Sequence, residues 1–103
     1  MAKIFMKGRI LQIISENTKG RSSSDKGIWD YDIARQILKE YGLSGSYAMG
    51  NVRLNLTDLF SGALIETVEE KLDNGEHFGD GKILFKFALT SFGEERMRDT
   101  GII

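Results

Sequence analysis

The chain contains no cysteine, no proline and a single histidine, His77. Without cysteine there is neither a disulfide framework nor a thiolate metal site, and a reducing, cytoplasmic setting is expected. His77 has only Glu76 and Asp80 beside it, in a turn rather than a convergent ligand set, so no metal or other cofactor is expected. The same shortage excludes the usual nucleophile–base pairs. His77 has no evident serine partner, and carboxylate pairs such as Glu69-Glu70 and Glu94-Glu95 fall on solvated faces with no cleft to raise either pKa. Catalysis is not expected. No apolar run approaches the length that spans a bilayer, and the N-terminus lacks the apolar stretch of a signal peptide, so no membrane partner is expected. With proline absent, the 12 glycines must terminate the elements.

Charge of one sign is scarce too. The formal charge is −1, with no global basic footprint. Its distribution is uneven: residues 1–58 hold nine Lys/Arg against six Asp/Glu (+3), and residues 59–103 hold five against nine (−4). The 41% hydrophobic and 28% charged content is ordinary for a globular chain, and 103 residues suit one domain, 1–103, with a modest core.

Local order is readable in spite of these shortages. Residues 3–15 carry Ile4, Phe5, Ile10, Leu11, Ile13 and Ile14 at helical spacing, weakened by about 1 kcal/mol at Gly8. This apolar face is wide for a small domain and suggests a homodimer contact. Residues 16–27, with Lys19, Arg21, Ser22, Ser23, Ser24 and Lys26, form a loop. A second helix over 29–41 places Trp29, Ile33, Ile37, Leu38 and Tyr41 on one side. Asp25 or Asp30 is expected to cap its start, and Gly42 to end it. After a polar turn, Ser44 or Ser46 caps a third helix over 47–62. Its apolar stripe is Met49, Val52, Leu56, Leu59 and Phe60, and its opposite face carries Ser46, Tyr47, Gly50, Asn51, Arg53, Leu54, Thr57 and Asp58.

Two alternating runs follow, 64–72 and 82–89, joined by a Gly/Asp/Asn-rich tip at 73–81. Strict alternation puts Leu64, Glu66, Val68, Glu70 and Leu72 on one face and Ile65, Thr67, Glu69 and Lys71 on the other. The tip glycines suit a turn with positive φ; no lysine and helix start follow as a phosphate loop requires. A short last helix over 91–101 has Thr90 as cap, Glu94 in its first turn and Phe92 and Met97 as anchors. Trp29, Tyr31 and Tyr41 are expected in the core or at a subunit contact rather than as a base-stacking platform. The fold class is α/β and mostly α: three N-terminal helices, a two-stranded hairpin and a short C-terminal helix.

The pattern Leu56-x-x-Leu59-x-x-x-Ala63-Leu64-Ile65 resembles a recognition helix entering a first wing strand, and Phe87-Ala88-Leu89-Thr90-Ser91-Phe92-Gly93 resembles the second wing strand and following helix start, of winged helix-turn-helix regulators. The MarR-like and PadR-like families are included in that broad sense, and the similarity covers residues 7–98. In those families glycine often stands where this chain has Ala63, and a phosphate-tracking wing carries Lys or Arg where this one has Glu66, Glu69, Glu70, Asp73, Glu76 and Asp80.

The resemblance implies sequence-specific binding of double-stranded DNA by a transcription regulator, with helix 47–62 in the major groove and tip 73–81 near the backbone. On the residues present, Asn51 and Arg53 suit base edges. Ser46, Tyr47 and Thr57 extend the same surface, Lys19, Arg21 and Lys26 suit phosphates from the loop, and Lys82 and Lys86 are the cations of the returning strand. The competing expectation is a winged protein–protein module without DNA binding, favoured by the acidic hairpin and exposed Leu54. With no separate sensor domain, any effector would bind at a dimer seam.

Overall fold

A computed structural model of the chain describes residues 6–22 and 24–101. It is mixed α/β, mostly helical, in the order α1 (Met6–Glu16), β1 (Ile28–Trp29), α2 (Asp30–Tyr41), α3 (Ser46–Ser61), β2 (Ile65–Leu72), β3 (Ile83–Leu89) and α4 (Ser91–Asp99). The sheet has three antiparallel strands in the order β1-β3-β2, not the two expected. The extra strand is only two residues long, too short for any periodicity to reveal, and it pairs Ile28 with Phe87 and Trp29 with Lys86. Trp29, read from sequence as helical, therefore precedes α2.

The core lies between α1, α2, α3 and one sheet face. Ile10, Ile13 and Ile14 of α1, Ile33 and Ile37 of α2, Val52 of α3, Ile65 of β2 and Met97 of α4 are all completely or almost completely buried. The described part of the α1 apolar face is thus used within one chain, which removes the surplus from which a dimer contact was inferred. Ile4 and Phe5 lie outside the described residues. A two-toothed pair ties α1 to α2: Arg9 Nε and Nη2 donate to the two carboxylate oxygens of Glu40 at 2.8 and 2.9 Å.

Several ends differ from expectation. Gly42 closes α2 in the left-handed conformation as expected (φ 67°), its N–H reaching the Leu38 and Lys39 carbonyls. No serine caps α3: Gly45 holds the cap position and Ser46 is already helical. Neither Asp25 nor Asp30 caps α2 from the position before the helix, because that position is Trp29. At the far end of α3 the left-handed residue is Ala63 (φ 62°), while Gly62 keeps φ at −83°.

Thr90 does cap α4, its Oγ1 accepting from the Gly93 N–H at 2.9 Å. Gly93 then packs so closely on the segment entering β2 that a Cβ there would collide with the Leu64 carbonyl oxygen. The inward place expected for Phe92 is occupied by that glycine; Phe92 is exposed beside Arg96, and Met97 alone anchors α4 in the core.

Strict alternation fails in β2. The register runs Ile65↔Leu89 and Thr67↔Phe87, then shifts between Thr67 and Glu69 and resumes as Glu70↔Phe85 and Leu72↔Ile83. One extra residue, Val68, inverts the facing of everything after it. Glu70 and Leu72 consequently share a face with Ile65 and Thr67, where unbroken pleating would have opposed them.

Candidate nucleic-acid interface

The hairpin tip is organised by a buried carboxylate. Asp73 Oδ1 accepts from the Gly75 and His77 amides at 2.9 and 3.3 Å, and Oδ2 from Phe78 and Gly79 at 2.6 and 2.9 Å. Burial alone would raise this carboxyl, but the four amide donors outweigh it and bring its pKa to about 2. Asp73 belongs to the scaffold of the tip, where the four amides hold it as a carboxylate.

The ordered tip sends two rings back to the body. His77, expected at an exposed turn, stacks on Tyr31 with ring centres 3.7 Å apart, and Tyr31 stacks in turn on Trp29 at 5.9 Å. Lys71 Nζ sits 4.4 Å from the Trp29 ring centre and donates to the Tyr31 hydroxyl at 3.0 Å, a bond that holds the ammonium above the ordinary lysine range. Trp29 and Tyr31 therefore clamp the hairpin to the start of α2, and Tyr41 packs at the margin of the core. Among the described residues no group of three His, Asp or Glu side chains converges as a metal ion would require.

The second ring, Phe78, receives Arg53 from α3, whose guanidinium carbon lies 4.6 Å from the ring centre. Arg53 is thus half-buried toward the hairpin. Thr57 donates its hydroxyl to the Arg53 carbonyl at 3.0 Å, a local bond on the same side of the helix. Asn51 is exposed on the opposite flank, its amide 4.0 Å from the Met6 sulfur. The ridge between them is formed by Tyr47 (90% exposed) and Leu54 (67% exposed), with Ser46 exposed at the helix start and Asp58 paired to Lys7 at 3.1 Å. The residues picked from sequence for α3 therefore divide between two flanks, with an aromatic and an aliphatic side chain on the crest.

The loop and strand cations are distributed rather than gathered. Lys19 reaches Glu94 at 3.9 Å and Lys26 reaches Glu66 at 3.4 Å, so acidic neighbours partly neutralise both. Arg21 and Lys82 are exposed and Lys86 half-buried, and none of the three forms an ion pair among the described residues.

Between α3 and the sheet lies a cavity of about 450 Å³ that sequence reasoning missed. Phe60, expected in the core stripe, is 49% exposed and forms part of its wall with Phe85 and Phe87, its ring centre 6.4 Å from that of Phe87. Asp30 also lines it. This residue is only 2% exposed; Oδ2 accepts from the Phe85 amide at 3.1 Å, and Oδ1 is buried with no hydrogen-bond partner among the described residues. Burial pushes the carboxyl above its ordinary value, against the pull of the Phe85 and Tyr31 amides and of Arg53 and His77. Oδ1 itself is closed off, with almost none of its surface within reach of a water-sized group. An aspartate at a helix start is ordinarily a capping residue, and only the approach of β3 turns it into a buried one.

No protein-family model matches the chain, and no curated protein or solved structure is significantly similar to it. Among the described residues no helix is long and apolar enough to cross a membrane.

Proposed function

We propose that this is a winged helix-turn-helix protein that binds double-stranded DNA as a transcription regulator, with α3 in the major groove and the 73–81 tip beside the backbone. The observation that carries the reading is the setting of α3. It follows α2 across the short turn 42–45, packs its Val52, Leu56 and Leu59 inward, and leaves its outer face uncovered, with the β2–β3 hairpin standing alongside. A 16-residue helix so placed has the dimensions of a groove reader. Its start carries no side-chain cap, so amides at Ser46 and Tyr47 are free to meet a phosphate. Asn51 is the base reader on the exposed flank; Arg53 joins it only by leaving the Phe78 ring, and Thr57 is a lesser contributor. Arg21 and Lys82 are the cations most available to the backbone, with Lys19, Lys26 and Lys86 behind them. The reading retains a homodimer on a palindromic site, but the described apolar face of α1 is core, so pairing would use another surface.

A salt titration of binding to random duplex DNA, read by fluorescence anisotropy at known protein mass, tests this. Micromolar binding that weakens steeply with salt is expected, and Asn51→Ala should then cost specific binding about 1–3 kcal/mol, with Arg53→Ala costing less. Absence of binding at low salt would overturn the reading. It would favour the second one, a protein–protein module, for which the exposure of Tyr47 and Leu54 on the crest of α3 is the specific support.

A further inference from the structure

We infer that Phe78 is a positioning residue that holds Arg53 away from DNA, so that the hairpin tip sets how strongly α3 engages a duplex. The inference rests on the DNA reading above. Arg53 is the only lysine or arginine in α3. It turns toward the hairpin rather than outward with Tyr47 and Leu54, and it is half-buried there, its guanidinium carbon 4.6 Å from the centre of the Phe78 ring. The ring face attracts a cation through its quadrupole. That attraction competes with phosphate and guanine, the partners a guanidinium meets on DNA.

The seat is fixed by its own backbone. The Phe78 amide donates to Asp73 Oδ2 at 2.6 Å, and the His77 and Gly79 amides on either side donate to the same carboxylate at 3.3 and 2.9 Å. The ring packs against the margin of the core, and the neighbouring His77 stacks on Tyr31 at 3.7 Å. A ring held in this way does not follow Arg53 outward, so Arg53 has to leave it to reach a duplex. Arg53 forms no ion pair among the described residues, which leaves the ring as the contact it gives up.

The experiment is fluorescence anisotropy on a random-sequence duplex at low salt, with the unaltered protein, Phe78→Leu, Phe78→Trp, Arg53→Gln and the double variant Phe78→Leu/Arg53→Gln. Leucine keeps an apolar contact but has no ring, and from the strength of such contacts at partly exposed sites it should tighten binding by about two- to fivefold. Tryptophan, a stronger seat for a cation, should weaken binding. In the Arg53→Gln background Phe78→Leu should change nothing, a dependence that a merely structural role for Phe78 would not produce. The Arg53 Nε–H proton resonance, displaced by the ring current in the free protein, should move in Phe78→Leu with no DNA present, which reads the seat separately from binding. Unchanged or weaker binding by Phe78→Leu, equal tightening with and without Arg53, or an unmoved Arg53 resonance would each overturn the inference and leave the DNA reading standing. Absence of duplex binding by the unaltered protein and every variant would overturn both.

Discussion

Ala63 holds a conformation that costs an L-residue about 1–2 kcal/mol, because its Cβ crowds the following carbonyl. The chain tolerates it because the 63 position must reverse direction so that Leu64 N–H can reach the Leu59 carbonyl and β2 can start. Ala63→Gly should therefore stabilise the protein by about 0.5–1 kcal/mol, the relief of strain less the added freedom of the unfolded glycine. A shift of the urea midpoint to higher concentration checks this, and an unchanged midpoint would mean the position carries no strain. The family resemblance makes Ala63 a departure from a glycine preference, but whether Gly62 or Ala63 takes the left-handed turn depends on where α3 ends. That is settled by the packing of Leu59 and Ile65, which no single position reveals.

The hairpin behaves as an element whose tip hangs on one side chain. Asp73 binds four amides only as a carboxylate, and its folded-state pKa near 2 lies below the ordinary value. The ionised form is therefore the stabilising one: its contribution is complete above about pH 4 and is lost as pH falls through about 2. Amide exchange at Phe78 and Gly79, read by hydrogen exchange at several pH values, should stay slow to about pH 3 and accelerate below it. Asp73→Ala should show the fast exchange already at neutral pH while the amides of α1 and α2 remain protected. Alternation and a Gly/Asn/Asp-rich tip are enough to announce this hairpin. The bulge at Val68 did not announce itself, since it is a response to pairing with β3, and it alone turned Glu70 toward α3.

At the scale of the whole molecule, Asp30 joins α2 to β3 across 55 residues of chain through the Phe85 amide. Burial raises its pKa, so here the neutral form is favoured in the folded state; stability is fullest below the ordinary carboxylate range and declines as pH rises through the raised value. Asparagine keeps the acceptor for Phe85 and cannot ionise. The urea midpoint of Asp30→Asn, compared with the unaltered protein from pH 4 to pH 8, should improve relative to it as pH increases. A difference independent of pH would show that Asp30 does not carry its charge at a cost. Arg53 lines the same cavity as Asp30 and seats on Phe78 of the tip, so the cavity, the outer helix and the hairpin meet at one side chain.

Periodicity and turn chemistry were enough to place four helices and a hairpin within a few residues, because each is a local matter of spacing, caps and glycine. They also named most of the apolar residues of the core; Phe60 and Phe92, expected inside, are exposed, and Ala34 and Ala48 are buried although no stripe included them. What the linear order left undecided is everything set by approach between distant segments. The two-residue β1, the inversion of β2, the seating of Arg53 on Phe78 and the stack of His77 on Tyr31 all depend on partners far away in the chain. The cavity belongs to the same class: its wall draws on α2, α3, β2 and β3, and Asp30 is buried beside it only because β3 covers an aspartate that local sequence would leave in water.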